Sequence, residues 1–312
     1  MPSVLAIARA IRYTQQMLAE PVRRARRVAL NVSMAALVLA AAKGIVGLLS
    51  GSIAVLSSAL DSAGDALASF VNFVLLTVAA KPPDEDHPFG HGKAENLAAM
   101  FQGVLLLAGG VYLGSEAIDR IRVPRAVEGS VIAIATMVAS IVATTAITRY
   151  LKRNAAEAES AALAGDAMHY MSDIVSNGAT IVALLVVRWT GTPIVDAILG
   201  ISVAAWIGWN SVYLIWQAGS DLMDPALPAA DVETIIRATE DVDPSIAGHM
   251  DLRTRRSAGI RFVEFELCID RNVSFERAHE ISERVKAKIH ATLPRSVVTI
   301  HAEPVEVEKS EG

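Results

Sequence analysis

The chain has 312 residues, of which 53% are hydrophobic and 20% are charged, and its formal net charge at neutral pH is −5. Its mean hydropathy of +0.41 is too high for an ordinary soluble domain of this length, so the composition indicates an integral membrane protein. The single cysteine, Cys268, excludes an intrachain disulfide and gives no sign of an oxidising compartment. The net charge averages a basic N-terminal region and a more acidic C-terminal region, and nothing in it indicates a nucleic-acid partner.

Residues 1–27 mix apolar side chains with arginines and precede the first long apolar segment. Their apolar run is interrupted by Arg9 and Arg12 and is too short for a signal peptide. Two interpretations remain open. The segment is either a basic amphipathic helix that lies on the lipid bilayer with its arginines facing anionic headgroups, or a disordered tail.

Residues 28–220 contain six apolar segments separated by turn signals. Most are long enough to cross about 30 Å of hydrocarbon at roughly 1.5 Å per helical residue. The fifth begins with a polar stretch, so its first half must face protein or water. We therefore expect an all-α, six-helix transmembrane domain. The segments are Val28–Leu49, Ile53–Ala79, Leu97–Ala117, Val131–Ile147, Ala155–Val187 and Ile194–Trp216.

Lysines and arginines near the ends of these segments predict the orientation of the chain, because such residues are enriched on the cytoplasmic side. One side carries the N-terminal arginines, Lys81, Lys93, Arg149, Lys152 and Arg153, and the other carries Arg120, Arg122, Arg125 and Arg188. The first side is predicted to be cytoplasmic. Six spans return the chain to that side, so we expect a multi-pass protein of the cell inner membrane with both termini in the cytoplasm.

Residues 221–312 have the pattern of a small soluble α+β unit. The predicted order is helix, strand, strand, helix, strand, which is typical of a ferredoxin-like or metallochaperone-like sandwich. We expect this cytoplasmic domain to follow the membrane domain directly. Its predicted elements are Val232–Thr239, Gly248–Thr254, Ile260–Ile269, Phe275–Thr292 and Val297–Ala302.

Two ionisable pairs lie within the apolar segments: Asp61 with Asp65, and His169 with Asp173. Each pair is spaced i, i+4, so both of its side chains project from one helix face. A charge at mid-bilayer costs roughly 2.5–3.5 kcal/mol, so these pairs indicate function. The alternative for the aspartates is a structural pair satisfied by neighbouring serines or by a cation on another helix. Asp166 is a weaker candidate, as a gate or as a solvated charge.

One imidazole and up to three carboxylates suit tetrahedral Zn²⁺. Cu(I) is disfavoured because no thiol or thioether ligand is evident, and Mn²⁺ and Mg²⁺ prefer oxygen ligands alone. Fe²⁺, Co²⁺ and Cd²⁺ remain open. A second cluster, with Asp84, His87 and His91, crowds into the loop between the second and third segments. It is either a second metal site or a solvated polar loop.

The ordered set of these motifs resembles the cation diffusion facilitators, and in particular the bacterial YiiP-like zinc/proton antiporters. The motifs are Asp-x3-Asp at 61–65, His-Pro-Phe-Gly-His-Gly-Lys-Ala-Glu at 87–95 and His-x3-Asp at 169–173. The resemblance covers nearly the whole chain. It implies a transport site from the two intramembrane pairs, a loop site from Asp84, His87 and His91, and a homodimer.

The resemblance also implies a zinc cluster in the cytoplasmic domain, with His279, His301 and Glu303 on ligand positions. The sequence departs from the pattern at two positions. Met250 stands where zinc members have histidine, with His249 one residue earlier, and Glu266 replaces a strand histidine. Glutamate can still coordinate zinc, whereas a surface histidine is the favoured interpretation of His249.

These expectations describe a dimeric secondary transporter, not an enzyme, that exports Zn²⁺ by alternating access and takes protons inward. Metal binds only deprotonated ligands, so Zn²⁺ and protons compete for the same groups. An unperturbed imidazole titrates near pH 6.5, which suits His169 to proton exchange. One alternative is a membrane metal sensor or scaffold without transport.

The other alternative is an intramembrane aspartyl protease, in which two carboxylates share a proton. Asp61 and Asp65 on one helix argue against that class, because it needs one aspartate from each of two facing helices.

Overall fold

The computed structural model describes residues 4–51, 53–122, 131–190, 192, 194–240 and 242–306. Side chains are described for all of these except residues 4–19, 53, 54, 131–134, 184 and 188. The chain forms two compact units. One contains residues 19–219, and the other contains the chain from residue 220 onward.

The first unit is built from six helices, and every predicted apolar segment except the fifth lies within one of them. The fifth, Ala155–Val187, begins in the last turn of α4 and continues in α5. Over the described residues, five are long and apolar enough to cross a membrane: α1 from Glu20 onward, α2, α3, α5 and α6. The remaining helix, α4, has 28 residues and contains the fourth predicted segment. The predicted helical transmembrane domain is therefore confirmed. The helices are α1 (Val4–Ser50), α2 (Ile53–Ala79), α3 (Ala94–Arg122), α4 (Val131–Ala158), α5 (Ala161–Thr190) and α6 (Ile194–Leu222).

Helix α1 continues without a break through Pro21, so the basic segment and the first span form one helix. Val22 and Ala25 are buried within the helical unit. Arg24 donates from Nε to Asn154 Oδ1 at 3.2 Å and pairs with Glu157. Residues 20–27 are thus packed against α4, and the helical unit begins at residue 19, ahead of the boundary predicted at residue 28.

The helices carrying the ionisable pairs share one hydrophobic core. Val32, Leu76, Leu151 and Leu163, from α1, α2, α4 and α5 respectively, are almost completely buried in it. Such a core is closely packed. It sets the spacing between α2 and α5, on which the ionisable pairs lie, in this conformation.

Small residues allow α3 and α6 to approach closely. A Cβ atom added at Gly103 would lie 2.7 Å from Ile215 Cγ1, and one at Gly200 would lie 3.0 Å from Ala117 Cβ. Small residues at helix contacts are typical of membrane interiors, where close van der Waals packing drives association. The α3–α6 pair is thus held at short range along its length.

The second unit has the predicted order of elements: α7 (Ala229–Thr239), β1 (Ile246–Ser257), β2 (Ile260–Asp270), α8 (Phe275–Thr292) and β3 (Ser296–Val305). The sheet order is β1-β2-β3, with β1 antiparallel to β2 and β3 parallel to β2. This arrangement confirms the predicted ferredoxin-like α+β domain.

The two faces of this sheet differ in chemistry. Phe265 and Leu267 of β2 are buried in a core that includes Ile281 and Val285 of α8. Because side chains alternate along a strand, the residues between them belong to the opposite face. Glu266 therefore lies on the face of the sheet that points away from α8, and metal ligands that meet Glu266 directly must be on that face.

Candidate metal centre

The described structure brings together three of the four intramembrane ligand candidates. His169 Nε2 lies 3.0 Å from Asp65 Oδ1. One ligand atom from each of Asp65, His169 and Asp173 lies within 4.8 Å of the others. All three side chains are half-buried. The arrangement joins α2 to α5 and places nitrogen and oxygen atoms at a separation that a single cation can span.

Helix geometry positions the two members from α5. His169 and Asp173 are four residues apart, which places them on the same face about 6 Å apart along the axis. Polar neighbours bond to the backbone of α5 at both residues: Ser172 Oγ donates to His169 O at 2.6 Å, and Asn177 Nδ2 donates to Asp173 O at 2.8 Å. These bonds leave the ligand atoms themselves available.

His169 Nδ1 is buried and has no hydrogen-bond partner among the described residues. The other ring nitrogen, Nε2, contacts Asp65. A metal-ligating histidine usually donates its second nitrogen to a neighbouring acceptor, which fixes the orientation of the ring. Among the described residues, Asp65 provides the hydrogen bond to the imidazole and the Tyr170 ring makes an edge contact with it, with the ring centroids 5.7 Å apart. These two contacts orient the imidazole.

Asp61, the fourth candidate, lies outside this group and is exposed on α2. It stands one turn before Asp65. The helical repeat of 3.6 residues rotates it by roughly 40° around the axis and moves it by about 6 Å along it. The described conformation therefore gathers three ligand candidates, and Asp61 would join them only if α2 moved relative to α5.

Lys43 was missed by sequence reasoning, which named ionisable residues only in the second and fifth apolar segments. The residue lies within α1, its side chain is buried, and its Nζ donates to Ser62 Oγ at 2.7 Å. Its ammonium is within electrostatic range of Asp61, Asp65 and Asp173. The signal was present in the sequence, because an ionisable residue inside an apolar segment is by default a functional hypothesis.

Asp166 is fully buried, so the expectation of a solvated charge is wrong. Its Oδ1 accepts hydrogen bonds from Ser69 Oγ and from Gln102 Nε2, both at 3.1 Å. Ser69 Oγ also lies 2.9 Å from the Tyr170 hydroxyl. This network connects α2, α3 and α5 one turn before His169, where it ties together the helices that carry the ligands.

The loop between α2 and α3 forms a second cluster. Asp84 Oδ1 lies 3.3 Å from His87 Nδ1, and Asp84 Oδ2 lies 3.5 Å from His91 Nε2. The backbone N–H of His87 donates to Asp84 at 2.8 Å and is the main cause that holds the pKa of that carboxyl below its usual range. Gly90 has a φ of 82°, a conformation that favours glycine and lets the loop turn back toward Asp84.

Replacing His91 with alanine should weaken zinc binding in this loop by roughly 100-fold, because loss of a ligand should cost at least as much as loss of a second-sphere contact. Calorimetric titration of the full chain in detergent, in a His169→Ala background, measures the change. Glu85→Gln is the matched control, since Glu85 is an exposed loop carboxylate outside the cluster. Equal affinity in the two variants would contradict a loop metal site.

The loop cluster also predicts a pH dependence. Because the pKa of Asp84 lies below its usual range, the carboxylate stays charged throughout neutral and mildly acidic pH. Asp84→Asn should therefore lower loop affinity by the same factor at pH 6 and at pH 8, as the same titration would show. A deficit confined to pH 8 would mean that Asp84 takes up a proton between these values.

The C-terminal unit places these predicted ligands on three elements, β2, α8 and β3. His301 Nε2 lies 3.5 Å from Glu303 Oε2 on β3, and Glu266 is paired with His301 in the β2–β3 register. His279 of α8, together with His301 and Glu303, lines a groove of ≈ 660 Å³. Within the described part of this unit, no three such ligands come within 4.8 Å of one another.

His249 belongs to the other face of the sheet. It is paired with Leu267, which is part of the helix-facing core, whereas Met250 is paired with Glu266. Residues directly opposite each other on neighbouring strands share a face. His249 is thus separated from Glu266 by the sheet.

Burial, reinforced by Glu266 and a second nearby glutamate, raises the pKa of the Cys268 thiol, which stays protonated at neutral pH.

Long apolar helices around a half-buried group of imidazole and carboxylates define an integral membrane protein with a candidate cation site. Residues 29–223 match the family model of the cation efflux transmembrane domain, and residues 227–305 match that of the cation efflux protein cytoplasmic domain. The chain belongs to the cation efflux family, and the resemblance to cation diffusion facilitators is confirmed. Membership makes it a transporter of divalent metal cations rather than an enzyme.

Curated relatives match over almost their whole length. The cation-efflux pump FieF of Cronobacter sakazakii is 32% identical over 281 residues, which cover 90% of this chain and 93% of that protein. The cation-efflux pump FieF of Shewanella oneidensis is 34% identical over 273 residues, covering 88% and 92%. The solved structure MamM-CTD 215-293 is 28% identical, with a TM-score of 0.23, and covers 24% of this chain and 96% of that chain.

Proposed function

We propose that this protein exports Zn²⁺ from the cytoplasm across the inner membrane in exchange for protons. The observation that carries the proposal is the convergence of Asp65, His169 and Asp173 between two helices of the membrane domain. Three ionisable ligands at that depth are costly to retain unless they serve a cation or a proton. The FieF relatives are named cation-efflux pumps, which agrees with outward transport.

Zinc fits the ligands better than harder ions do. One imidazole nitrogen with carboxylate oxygens is a common zinc set, whereas Mn²⁺ and Mg²⁺ favour oxygen alone. Fe²⁺, Co²⁺ and Cd²⁺ share enough of this preference to be carried as well. Asp61 is proposed as the fourth ligand, which it becomes when α2 shifts relative to α5.

Proton coupling follows from the contact between His169 and Asp65. The 3.0 Å separation of Nε2 and Oδ1 is that of a hydrogen bond, with a proton between the two atoms. A metal ion needs the lone pairs of these atoms, so it must displace that proton. Zinc and protons therefore occupy the site alternately. Alternating access then requires the site to bind metal while open to the cytoplasm, to release it while open to the outside, and to return with protons.

The assembly is proposed to be a homodimer with both termini in the cytoplasm. The match of the C-terminal unit to the cytoplasmic domain of the family supports this orientation, since an even number of spans would bring both termini to the same side. In this unit we propose a regulatory zinc site from His279, His301, Glu303 and Glu266. His249 is left out, because it neither lines the groove shared by His279, His301 and Glu303 nor pairs with Glu266, which is the neighbour of His301 in the sheet. Since one copy does not gather these ligands, they would meet only when zinc or the second copy draws them together.

The regulatory role is tested with His301→Ala in the full chain. Zinc should tighten the dimer of the unchanged protein by at least roughly tenfold, about 1.4 kcal/mol, and this effect should be absent from the variant. Thr299→Ala, an exposed change on the same face of β3, is the control. The readout is the dimer dissociation constant in detergent with and without zinc. A zinc response that persists in His301→Ala would contradict the assignment.

Two other functions are distinguished by experiment. Asp65 and Asp173 come from facing helices and lie within reach of each other, so the sequence argument against an aspartyl protease no longer holds. His169 is hydrogen-bonded to one of them, which favours a metal ligand set over an aspartate pair. Peptide cleavage without zinc flux would select the protease. Zinc binding without flux across a sealed bilayer would select a sensor or scaffold.

The test of transport uses proteoliposomes that contain a zinc-sensitive dye. Zinc should enter vesicles that are acidic inside, because protons leave as zinc enters, and uptake should become slower when an ionophore removes the pH gradient. Protein-free vesicles measure leakage. Uptake that is equally fast with and without the gradient would contradict proton exchange, and absence of uptake under both conditions would contradict transport.

A further inference from the structure

A buried lysine lies beside the proposed transport site. Lys43 of α1 has a relative exposure of 8%, and its Nζ donates to Ser62 Oγ at 2.7 Å. Ser62 directly follows Asp61 on α2 and stands three residues before Asp65. The hydrogen bond therefore holds a positive charge against the part of α2 that carries both carboxylates. A charge at this depth is costly, so its position calls for a functional explanation.

The surroundings of Lys43 are negatively charged. Its ammonium interacts electrostatically with Asp65, Asp173 and Asp61, while its hydrogen bond goes to a neutral hydroxyl. The lysine is thus held near the carboxylates without forming a direct ion pair with any of them among the described contacts. A flexible four-carbon stem lets such an ammonium move by several ångströms when a second cation arrives.

We propose that Lys43 is a tethered competitor of the transported metal ion, a further positioning residue of the transport cycle. Its ammonium partly neutralises the carboxylates when the site holds no metal, and it repels a divalent cation that enters. The effect is to weaken metal binding and to speed metal release. This inference rests on the proposed function, because it needs a site through which a metal ion passes.

The physical reason is the low effective dielectric constant of a membrane interior. A fixed positive charge repels a divalent ion twice as strongly as a proton at the same place, and screening by water is weak there. A site of carboxylates and imidazole without this charge would hold zinc more tightly than rapid turnover allows. Transport requires binding that is favourable enough for entry and weak enough for departure.

A purely structural role predicts a different result. If Lys43 only stabilised the fold, its removal would lower the melting temperature and the amount of active protein, and the KM for zinc would not change. If it competes with the metal, its removal lowers KM and also lowers the maximal rate, because release becomes slow. The two roles therefore predict different changes in KM: it stays the same if Lys43 is structural, and it falls together with kcat if Lys43 competes with the metal.

The experiment measures zinc uptake into proteoliposomes as a function of zinc concentration for the full chain and three variants. Lys43→Met removes the charge, and Lys43→Gln removes it while keeping a donor for Ser62, so it serves if the methionine variant does not fold. Both should lower KM by roughly tenfold, which corresponds to about 1.4 kcal/mol, and should lower kcat. Ser62→Ala keeps the charge and removes only its anchor, so KM should not fall.

The outcomes separate this inference from the proposed function. If the unchanged protein transports zinc and a folded Lys43→Gln variant has an unchanged or higher KM, the competitor role is overturned and transport stands. A fall of KM in Ser62→Ala as large as that in Lys43→Gln would also overturn it, because loss of charge would not be the cause. If the unchanged protein shows no saturable uptake, the proposed function itself fails.

Discussion

Replacing His169 with alanine should reduce zinc uptake to the level of protein-free vesicles, a loss of at least roughly 100-fold. The imidazole is the one nitrogen ligand of the proposed set, and its Nε2 is the atom shared between the proton and the metal ion. Removal of a ligand should cost at least the 10-fold to 100-fold that is typical of a second-sphere change. Asp65→Ala should have the same effect, because it removes the partner of that nitrogen.

The measurement is the initial rate of zinc uptake with an imposed pH gradient. Ser176→Ala, three residues beyond Asp173 on α5, is the matched control, because it lies outside the ligand group and on the same helix. It should retain most of the rate. Uptake by a correctly folded His169→Ala protein at more than about a tenth of the unchanged rate would mean that metal passes elsewhere.

Replacing His169 with aspartate should change which metal is carried rather than abolish transport. The site would then offer oxygen ligands alone, which Mn²⁺ prefers and Zn²⁺ binds less well than a set with imidazole. We expect the ratio of zinc to manganese uptake to fall by at least roughly tenfold, a change of about 1.4 kcal/mol in relative binding. The expected result is a manganese flux that the unchanged protein lacks.

Competition between the two metals in one vesicle preparation measures this ratio directly. Asp65→His is the reciprocal control, since it adds a second imidazole and should leave manganese rejected. If His169→Asp abolishes both fluxes, the imidazole does more than select the metal. If it leaves the zinc preference unchanged, the choice of ion is made elsewhere in the protein.

Much of the architecture followed from simple patterns. Six apolar segments predicted six helices, because a membrane interior leaves few alternatives for the backbone. The order of helices and strands in the C-terminal unit was also predicted from the sequence, and α8 has the predicted bounds, Phe275–Thr292. Helix ends were less accurate, because charged residues at an interface continue a helix where composition alone suggests a break, as at the start of α1.

The intramembrane ligand pairs were predicted from spacing, which fixes the helix face but not the rotation of one helix against another. The i, i+4 spacing predicted that Asp61 and Asp65 are equally good candidates for metal ligands. In the fold only Asp65 meets His169, and Asp61 is exposed. The relative rotation of α2 and α5 depends on the packing of several helices, so no local pattern could reveal it.

Lys43 and Asp166 show a different limit. Both interrupt apolar sequence. Lys43 was missed, and Asp166 was ranked below His169 and Asp173 because it lies nearer the predicted cytoplasmic end of its segment. Their partners, Ser62 for one and Ser69 with Gln102 for the other, come from other helices. Isolated polar residues in a membrane segment therefore call for partners distant in sequence, which only the fold can supply.

The most direct test of proton-coupled zinc transport is to ask whether a zinc gradient alone moves protons across the vesicle membrane. Vesicles with equal pH inside and outside would receive zinc on one side only, and internal zinc and internal pH would be recorded together. If zinc and protons exchange at Asp65 and His169, zinc entry should make the interior more alkaline, and Asp65→Ala should abolish both signals. Zinc entry without any change of internal pH, with membrane potential clamped, would contradict proton-coupled exchange.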